Sequence, residues 1–327
     1  MKPILGLFAL IFCTGPAALG SVAESVTDFH GHILNDPLTL GIILEAPDFG
    51  LTIEGKDPAS SQFSYKPNPQ AYAGVSVDYG SVGFTVSTKI PGTAADAAQK
   101  GTTDNFDLTA HHSWAREELL FYYEDYKGFY LENPSENSSA LPGDSSASPV
   151  LRPDIQLQHF GVNFFHAFSD TYIIGDIAER HMEKLVKGGS LIASGSFNEF
   201  LLNTGQPLVD PSQSGIYGNE GNLTYGRFIT GAAGIGYGYV WPWTKDVLSL
   251  NLMAGAGPQW QWLNVSGDNR YRVMLATDTM AYLTYFHNYG RLILGGTLKY
   301  NSTRSDLGSL YLTAYVASGF LFLQSTF

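Results

Sequence analysis

The feature that most constrains this chain is regular alternation of apolar and polar residues, without any apolar stretch long enough for a membrane helix. In residues 71–79 every second side chain is apolar, and residues 82–90 repeat the pattern after a tight turn at Gly80-Ser81. A period of two indicates a β-strand with one apolar face, and the short turn makes the two segments a hairpin. No run of about 18 apolar residues follows residue 23, which excludes a helical membrane protein.

Composition and strand length favour a transmembrane barrel over a soluble β-sandwich. Only 15% of the residues are charged and 13% are aromatic, whereas soluble domains carry roughly 25% charged residues. The polar faces are mostly Ser, Thr, Asn, Gln and Gly, and residues 247–263 and 271–286 alternate for longer than the usual strand of about 5–6 residues. The sequence therefore predicts an all-β fold, a transmembrane antiparallel up-and-down β-barrel. A soluble periplasmic β-protein is the alternative.

The alternation predicts about twelve strands, an even number as single-chain bacterial barrels have, although ten to fourteen also fit. Residues 38–45 and 50–55 are also strand-like, and residues 171–182 alternate poorly. Counting back from the last strand places the Ser-rich stretch 134–153 on the periplasmic side, which indicates a misplaced strand boundary. The predicted strands lie at residues 70–79, 82–91, 104–114, 117–131, 154–168, 171–182, 189–204, 226–241, 246–263, 270–286, 291–301 and 309–327.

The N-terminal residues have the form of an export signal. Lys2 precedes an apolar segment from Ile4 to Phe12, and small residues then offer cleavage after Gly20 or Ala23. The domain prediction is a signal peptide at 1–23, a periplasmic lead-in at 24–69 with one or two short strands, and the barrel at 70–327. The single cysteine, Cys13, lies within the signal, so the exported chain has no disulfide and no Cys-ligated metal. Lipidation of Cys13 is an alternative that the bulky residue before it disfavours.

The last residue, Phe327, is predicted to be the insertion signal. Outer-membrane proteins commonly end in an aromatic residue on an amphipathic strand, and counting back by twos gives an outward stripe that is broken only at Ser325. This predicts a location in the cell outer membrane, with membrane lipid and the outer-membrane assembly machinery as partners. The net charge of −12 disfavours nucleic acid, which needs basic patches. The sequence does not indicate an oligomeric state.

Some of the histidines are candidates for metal binding or catalysis. His30 and His32 share one strand face, but no acidic residue stands at ligand spacing, so no metal or cofactor is predicted. His111 and Ser113 suggest a lipid-modifying barrel hydrolase, which needs a base and a nucleophile on the lipid-facing side. The alternation places both on the inner face. The hydrolase therefore stays an alternative, and no catalytic residue is predicted.

The remaining candidates are charged side chains that the strand pattern turns towards the lumen. In a small barrel such charges pair with one another and fill the interior, or else they line a narrow path for a solute. The sequence thus predicts a structural or narrow-pore outer-membrane barrel with an unknown ligand. The predicted lumen-facing residues are Asp78, Lys89, Asp107, His111, Lys127, Arg291 and Lys299.

Several short motifs, taken in order, resemble an uncharacterised bacterial family of outer-membrane barrels called domain of unknown function 4421. The resemblance covers about residues 35–327, and the Ser-rich insertion near 135–148 departs from it. It implies a barrel fold and an outer-membrane location, and it brings no catalytic residue or substrate. The matching motifs are Tyr65-Lys66-Pro67-Asn68, Gly101-Thr102-Thr103, Tyr126-Lys127-Gly128-Phe129-Tyr130, Leu151-Arg152-Pro153-Asp154, Lys187-Gly188-Gly189-Ser190 and Gly234-Ile235-Gly236-Tyr237-Gly238-Tyr239.

Overall fold

The computed structural model describes most of the chain from residue 38 onwards. The described residues are 38–57, 62–68, 70–93, 97–114, 116–132, 150–172, 174, 185–210 and 214–327. The predicted signal peptide with Cys13, the histidine pair His30 and His32, and the Ser-rich stretch 135–148 lie outside them.

Within these residues the chain folds into thirteen antiparallel β-strands. Three short helical turns also occur, α1 (Ala97–Lys100), α2 (Ser214–Tyr217) and a 3-10 turn at Asn219–Asn222. No helix in the described part is long and apolar enough to cross a membrane. The strands are β1 (Leu38–Gly55), β2 (Gln62–Lys66), β3 (Tyr72–Tyr79), β4 (Val82–Lys89), β5 (Asp104–Ser113), β6 (Glu117–Leu131), β7 (Leu151–Ala167), β8 (Gly188–Asn203), β9 (Leu223–Pro242), β10 (Asp246–Val265), β11 (Asp268–Asn288), β12 (Leu292–Asp306) and β13 (Leu310–Thr326).

Twelve of the thirteen described strands close into a ring, which confirms the predicted all-β barrel of about twelve strands. Each strand pairs with its sequence neighbour from β3 to β13, and β1 closes the ring between β13 and β3. The closing contact is long, because β1 and β13 pair from Thr39 with Thr326 to Gly55 with Leu310.

Two details of the predicted strand set differ from the structure. The ring begins at Leu38 and not at residue 70, because residues 38–55 of the predicted lead-in form a complete strand. In the predicted strand 171–182, the described residues 171, 172 and 174 are not strand, and the others lie outside the described part. With β1 added and the predicted strand 171–182 left out of the count, the ring still has twelve strands. The connection at 132–150 then lies at the loop end and not at the periplasmic end where the count had placed it, which removes the conflict in loop parity.

The two ends of the barrel differ in their connections. The terminal end contains Leu38 and Thr326, together with the short connections at 80–81, 114–116, 243–245 and 289–291. It also contains the longer connection at 168–187. The loop end contains Gly55 and the connections at 90–103, 132–150 and 204–222.

The outward face carries a belt of exposed apolar side chains around the ring. Leu298 is 62% exposed and Leu321 is 64% exposed, although both are large hydrophobic residues in the middle of strands. Together these residues form the outward belt: Ile42 and Leu44 of β1, Val75 of β3, Phe84 of β4, Leu191 of β8, Ile235 of β9, Leu252 of β10, Leu275 of β11, Leu298 of β12, and Leu321 and Leu323 of β13. Soluble proteins rarely expose an apolar surface that is continuous in this way.

The ring narrows towards the loop end, because β2 bypasses three short strands. β2 pairs with Leu51–Glu54 of β1 on one side and with Tyr130 and Leu131 of β6 on the other. Ten described strands thus enclose the loop end, against twelve at the terminal end. The switch of β6 from β5 to β2 occurs at a bulge at Gly128, which has φ 92°. A Cβ there would overlap the carbonyl oxygen of Thr102, so the bend requires glycine.

Buried apolar side chains fill the narrow part of the ring, and we call this cluster the apolar plug. Most point inward from strands, while Leu208, Val209 and Tyr217 come from the connection at 204–222. The apolar plug consists of Phe49, Leu51, Ile53, Phe63, Tyr65, Tyr126, Phe129, Leu131, Ile155, Leu157, Phe200, Leu202, Leu208, Val209, Tyr217, Leu223, Phe228, Leu263, Val265, Leu307, Leu310, Leu312 and Val316.

Candidate functional site: a charged chamber in the lumen

Below the apolar plug, inward-facing polar side chains surround a cavity of about 220 Å³. A smaller cavity of about 40 Å³ lies beside it and shares Glu45, Thr85, Thr109, Lys299 and Ser318. We call the two together the lumen chamber. Its walls are inner faces of β1, β3–β6 and β11–β13, where strand alternation turns one polar side chain inward at every second position.

Lys299 of β12 points into the lumen chamber and faces acidic residues from other strands. Its Nζ lies 3.8 Å from Oε1 of Glu124 on β6, and the two side chains are 18% and 9% exposed. The same Nζ lies 5.7 Å from the centre of the Tyr122 ring. Glu45 of β1 lines both cavities beside Lys299. A lone ammonium group is costly to bury, so these carboxylates hold Lys299 in the interior.

A hydrogen-bonded chain continues from Glu124 into the wall of the barrel. His159 Nδ1 lies 3.1 Å from Glu124 Oε2, and His159 Nε2 lies 3.3 Å from the Tyr122 hydroxyl. Tyr122 in turn donates to Asn198 Oδ1 at 2.6 Å. The His159 ring packs near Phe49 and Phe200. Because apolar rings cover the imidazole, the chain serves to hold Glu124 in place and does not present a base to a substrate.

Asp107 forms the inner wall of the smaller cavity. Its Oδ2 accepts hydrogen bonds from the Tyr126 hydroxyl at 3.0 Å and from Asn105 Nδ2 at 3.1 Å. Its Oδ1 is buried and has no hydrogen-bond partner in the described part of the chain. The Tyr282 hydroxyl on the wall of the larger cavity is also buried without a hydrogen-bond partner among the described residues. Buried polar atoms normally have partners, so these two atoms mark an incompletely satisfied interior.

Asp78 and His111 stand at the side of the lumen chamber that is nearer the terminal end. His111 Nε2 lies 3.7 Å from Asp78 Oδ1, and the side chains are 18% and 14% exposed. Gln324 of the closing strand donates to Asp78 Oδ2 at 3.2 Å. A Cβ on Gly83 would overlap both Asp78 and the His111 ring, so a glycine here leaves room for the pair. Both side chains thus keep part of their surface accessible on this side of the lumen chamber.

The structure brings four of the seven predicted lumen residues together in the lumen chamber: Asp78, Asp107, His111 and Lys299. The other three lie elsewhere, contrary to the prediction. Lys89 is the last residue of β4 and forms an ion pair with the exposed Asp104. Lys127 is exposed on the outward face, next to the bulge in β6. Arg291 is exposed in the connection before β12. Arg291 lies in a turn, where strand parity does not apply, whereas Lys89 keeps the inward parity of β4 but lies at its loop end, outside the lumen chamber.

Three inward charged residues of the lumen chamber were not predicted. Glu45 lay in the segment assigned to the lead-in. Glu124 is not among the predicted lumen residues, although Tyr122 and Tyr126 beside it have the buried pattern of an inner face. Glu118 lines the larger cavity. The alternation of β6 was the available signal for Glu118 and Glu124.

The residues considered for hydrolysis do not form a lipid-facing site. Ser113 is buried on the inner face together with His111, as predicted. An outward pair exists instead at the terminal end, where Ser81 Oγ lies 3.1 Å from His112 Nδ1. That same Nδ1 lies 3.3 Å from the carbonyl oxygen of Ser81. The contact to the carbonyl requires a proton on Nδ1, whereas the contact to Ser81 Oγ is compatible with either tautomer. No group of His, Cys, Asp and Glu in the described residues is placed to hold a metal ion.

Solved structures with detectable likeness are outer-membrane proteins of different activities. The outer membrane protease OmpT of Escherichia coli has 10% identity and a TM-score of 0.39, covering 90% of this chain and 98% of that one. A bacterial polysaccharide outer membrane secretin has 13% identity and a TM-score of 0.34, with coverages of 90% and 99%. The toluene transporter TodX of Pseudomonas putida has 9% identity and a TM-score of 0.28, with coverages of 95% and 94%. TM-scores below 0.5 bear on neither activity nor substrate.

A search of curated proteins finds no match. The family model described as domain of unknown function (DUF4421), in contrast, matches residues 35–313. That range includes the ring strands β1 and β3–β12 and only the first four residues of β13, and it includes every charged residue of the lumen chamber. The chain therefore belongs to the DUF4421 family.

Proposed function

We propose that this protein is an outer-membrane β-barrel with a closed lumen and a structural, non-conducting role. The observation that carries the proposal is the apolar plug. It fills the ten-strand part of the ring with side chains such as Phe49, Leu51 and Leu202, none of which has any exposed surface. Barrels of about eight strands have interiors that side chains can fill, and ten strands with many aromatic residues meet the same condition. An ion would have to cross an apolar region without water.

The connection at 204–222 closes the loop end from above. Arg152 makes a bidentate pair with Asp154, with both N–O distances at 2.9 Å. Asp154 Oδ2 also accepts the backbone N–H of Gly205 at 3.0 Å. Tyr65 donates to the carbonyl of Leu208 at 2.6 Å. These bonds fasten the connection to β7 and β2, which supports a lid that stays in place.

The outward belt supports the proposed membrane location. A barrel that faces lipid carries an apolar band outside and polar residues inside, and this chain has that division. Bacterial barrels have short periplasmic turns and longer outer loops, so we orient the terminal end towards the periplasm. Membrane lipid is then the direct partner of the outward belt. The soluble alternative predicts recovery from the periplasmic fraction without detergent, and finding the protein there would overturn the location.

Conductance tests the closed lumen directly. Protein refolded in detergent and added to a planar bilayer should give no discrete current steps, because the apolar plug excludes water and ions. Heat-modifiable migration of the same sample shows that the barrel is folded, and a general porin serves as the positive control for the assay. Reproducible steps from folded protein would contradict a closed lumen and favour a narrow pore.

A charge at the middle of the outward belt should be costly. Leu298→Arg places a guanidinium where lipid tails are expected, and we expect a loss of about 2–4 kcal/mol in the free energy of unfolding from vesicles. Ser302→Arg is the matched control, since Ser302 shares the outward face of β12 but lies nearer the loop end. Its cost should be about 0–1 kcal/mol. Equal losses at the two positions would argue against a lipid-facing belt.

Releasing Asp154 should open the connection at 204–222. Asp154→Asn removes the anion that accepts from Arg152 and Gly205, and we expect the local opening free energy to fall by about 1–3 kcal/mol. Hydrogen exchange should report it, because the amides of Leu208 and Val209 are bonded to carbonyls within this region. Asp268→Asn, an exposed acid at the same end, should leave those amides unchanged. Unchanged exchange in Asp154→Asn would show that the hydrogen bonds of Asp154 do not hold the connection.

The hydrogen bonds that the Asp154 carboxylate accepts from Arg152 and Gly205 should weaken in acid. Partial burial tends to raise the pKa of Asp154, but the hydrogen bonds from Arg152 and Gly205 outweigh burial and lower it below its ordinary value. A carboxyl whose pKa is depressed by folding stabilises the folded state above its unfolded pKa of about 3.9. The contribution is lost as the pH falls through the folded pKa. Protection of the Leu208 amide, measured against the intrinsic exchange rate at each pH, should therefore fall below about pH 4, and this fall should be absent in Asp154→Asn.

A further inference from the structure

We propose that the lumen chamber is a binding site for a small aliphatic amine or diamine. This goes beyond the closed barrel, because it assigns a ligand to the polar space that the apolar plug leaves open. It rests on four observations: an excess of carboxylates, a cavity of suitable size, apolar side chains between the charges, and two buried polar atoms without partners.

The lumen chamber has more carboxylates than the described cations can pair. Glu124 is paired by Lys299 and His159, and Asp78 is paired by His111. Glu45, Asp107 and Glu118 have no ion pair among the described residues, although all three line the cavities. Carboxylates in an interior of low dielectric attract a cation much more strongly than they would in water. An ammonium group is the ligand that this excess favours, and an anion would be repelled.

The size and the lining favour an organic cation over a metal ion. The larger cavity, at about 220 Å³, exceeds the roughly 150 Å³ apolar cavity that holds benzene in an engineered protein. It therefore has space for an aliphatic molecule of six to nine non-hydrogen atoms, by the same rough proportion. Ile43, Leu120 and Phe320 contribute apolar surface between the charged groups. Methylene groups can pack on these three side chains while ammonium groups meet the carboxylates.

Two buried atoms without partners complete the case for a donor ligand. Asp107 Oδ1 and the Tyr282 hydroxyl lack hydrogen-bond partners in the described part of the chain. An ammonium group carries three donors, and an unpaired buried oxygen costs about 1–3 kcal/mol. A ligand that donates to Asp107 would remove that cost.

Binding of 1,4-diaminobutane to the refolded full chain in detergent micelles tests the proposal. Calorimetric titration at constant ionic strength should give saturable binding. Butylamine should bind about ten-fold more weakly, since it satisfies one carboxylate group only, and butyrate should not bind. Glu45→Gln keeps the volume and the contact with Ser87 and removes the charge, and it should weaken diamine binding at least ten-fold. Asp107→Asn should also weaken diamine binding at least ten-fold, and it replaces Glu45→Gln as the test if that variant folds poorly.

Glu54→Gln is the matched control, because Glu54 belongs to the same strand but pairs with Arg304 on the outward face, where it is 46% exposed. Its affinity for the diamine should equal that of the wild type. Absence of saturable heat with 1,4-diaminobutane, equal affinity in Glu45→Gln and wild type, or comparable binding of butyrate would each overturn the proposal. The titration does not depend on conductance. If no binding is measured, only the amine site is wrong and the closed barrel is unaffected. If current steps are measured, the closed barrel is wrong and the titration alone decides the amine site.

Discussion

Replacing Phe49 with alanine should lower the free energy of unfolding by about 3–5 kcal/mol. Phe49 has no exposed surface and belongs to the apolar plug. Its ring is stacked on Tyr126, with centroids 4.7 Å apart and planes 11° apart. Deleting it removes this contact and leaves a cavity enclosed by strands that are hydrogen-bonded on both sides. Because the ring cannot collapse around the gap, we expect the upper part of the usual range for buried aromatic residues.

Urea unfolding of the refolded protein in lipid vesicles measures the effect by tryptophan fluorescence. Ile42→Ala is the matched control, since Ile42 belongs to the same strand but faces outward and is 61% exposed. Lipid can fill the space that this variant leaves, so it should lose about 1 kcal/mol or less, in line with the missing methylene groups alone. Equal losses for Phe49→Ala and Ile42→Ala would show that the apolar plug is not tightly packed.

The sequence pattern predicts the barrel well, because its main signal is the outward belt. Lipid contact requires an apolar residue at every second position, so Leu321 and Leu323 of the closing strand and Leu248 to Trp262 in β10 could be assigned to one face directly. The paired strands and their order then follow from short turns. These parts of the fold depend on local patterns and therefore need no knowledge of distant contacts.

The first strand and the apolar plug were missed for one shared reason. In β1 the apolar residues face outward at Leu40 to Leu44 but inward at Phe49 to Ile53. The apolar stripe changes faces at Pro47, as the strand passes from lipid to the filled end of the barrel. A pattern search reads this change as the end of one strand and the start of another. It also cannot distinguish an apolar face that meets lipid from one that fills the lumen.

The lumen chamber could be predicted only in part. Parity indicates that Asp107 and Lys299 face inward, but their common cavity depends on where the ring closes. Closure by β1 brings Glu45 beside Lys299, and it was not predicted because β1 was not recognised as a ring strand. His159 was not a candidate, since nothing in its sequence neighbourhood indicates that Glu124 lies across the strand pair.

Lys299→Met should destabilise the barrel by about 3–5 kcal/mol at neutral pH, which is the usual result of breaking a buried ion pair by removing one partner. Lys299 is the lysine whose ammonium group lies nearest Glu124, at 3.8 Å, and it lines the cavities with Glu45 and Asp107. Glu118, Tyr126 and Tyr282 also line the cavities. The Tyr122 ring lies 5.7 Å from the ammonium nitrogen, and His159 is bonded to Glu124. Without the ammonium group, carboxyl groups from three strands face one another in an interior with little water, and none of them has this counter-charge.

Two further measurements separate this charge effect from a loss of packing. Adding Glu124→Gln to Lys299→Met removes one uncompensated carboxylate and should recover at least about 1 kcal/mol. Lowering the pH should reduce the difference in the free energy of unfolding between Lys299→Met and the wild type, because protonated carboxyl groups need no counter-charge. Lys56→Met, which breaks the rim pair with Asp306 at 2.7 Å, should cost no more than about 1 kcal/mol. A difference that stays constant with pH, and that the second substitution does not reduce, would assign the loss to the packing of the Lys299 side chain.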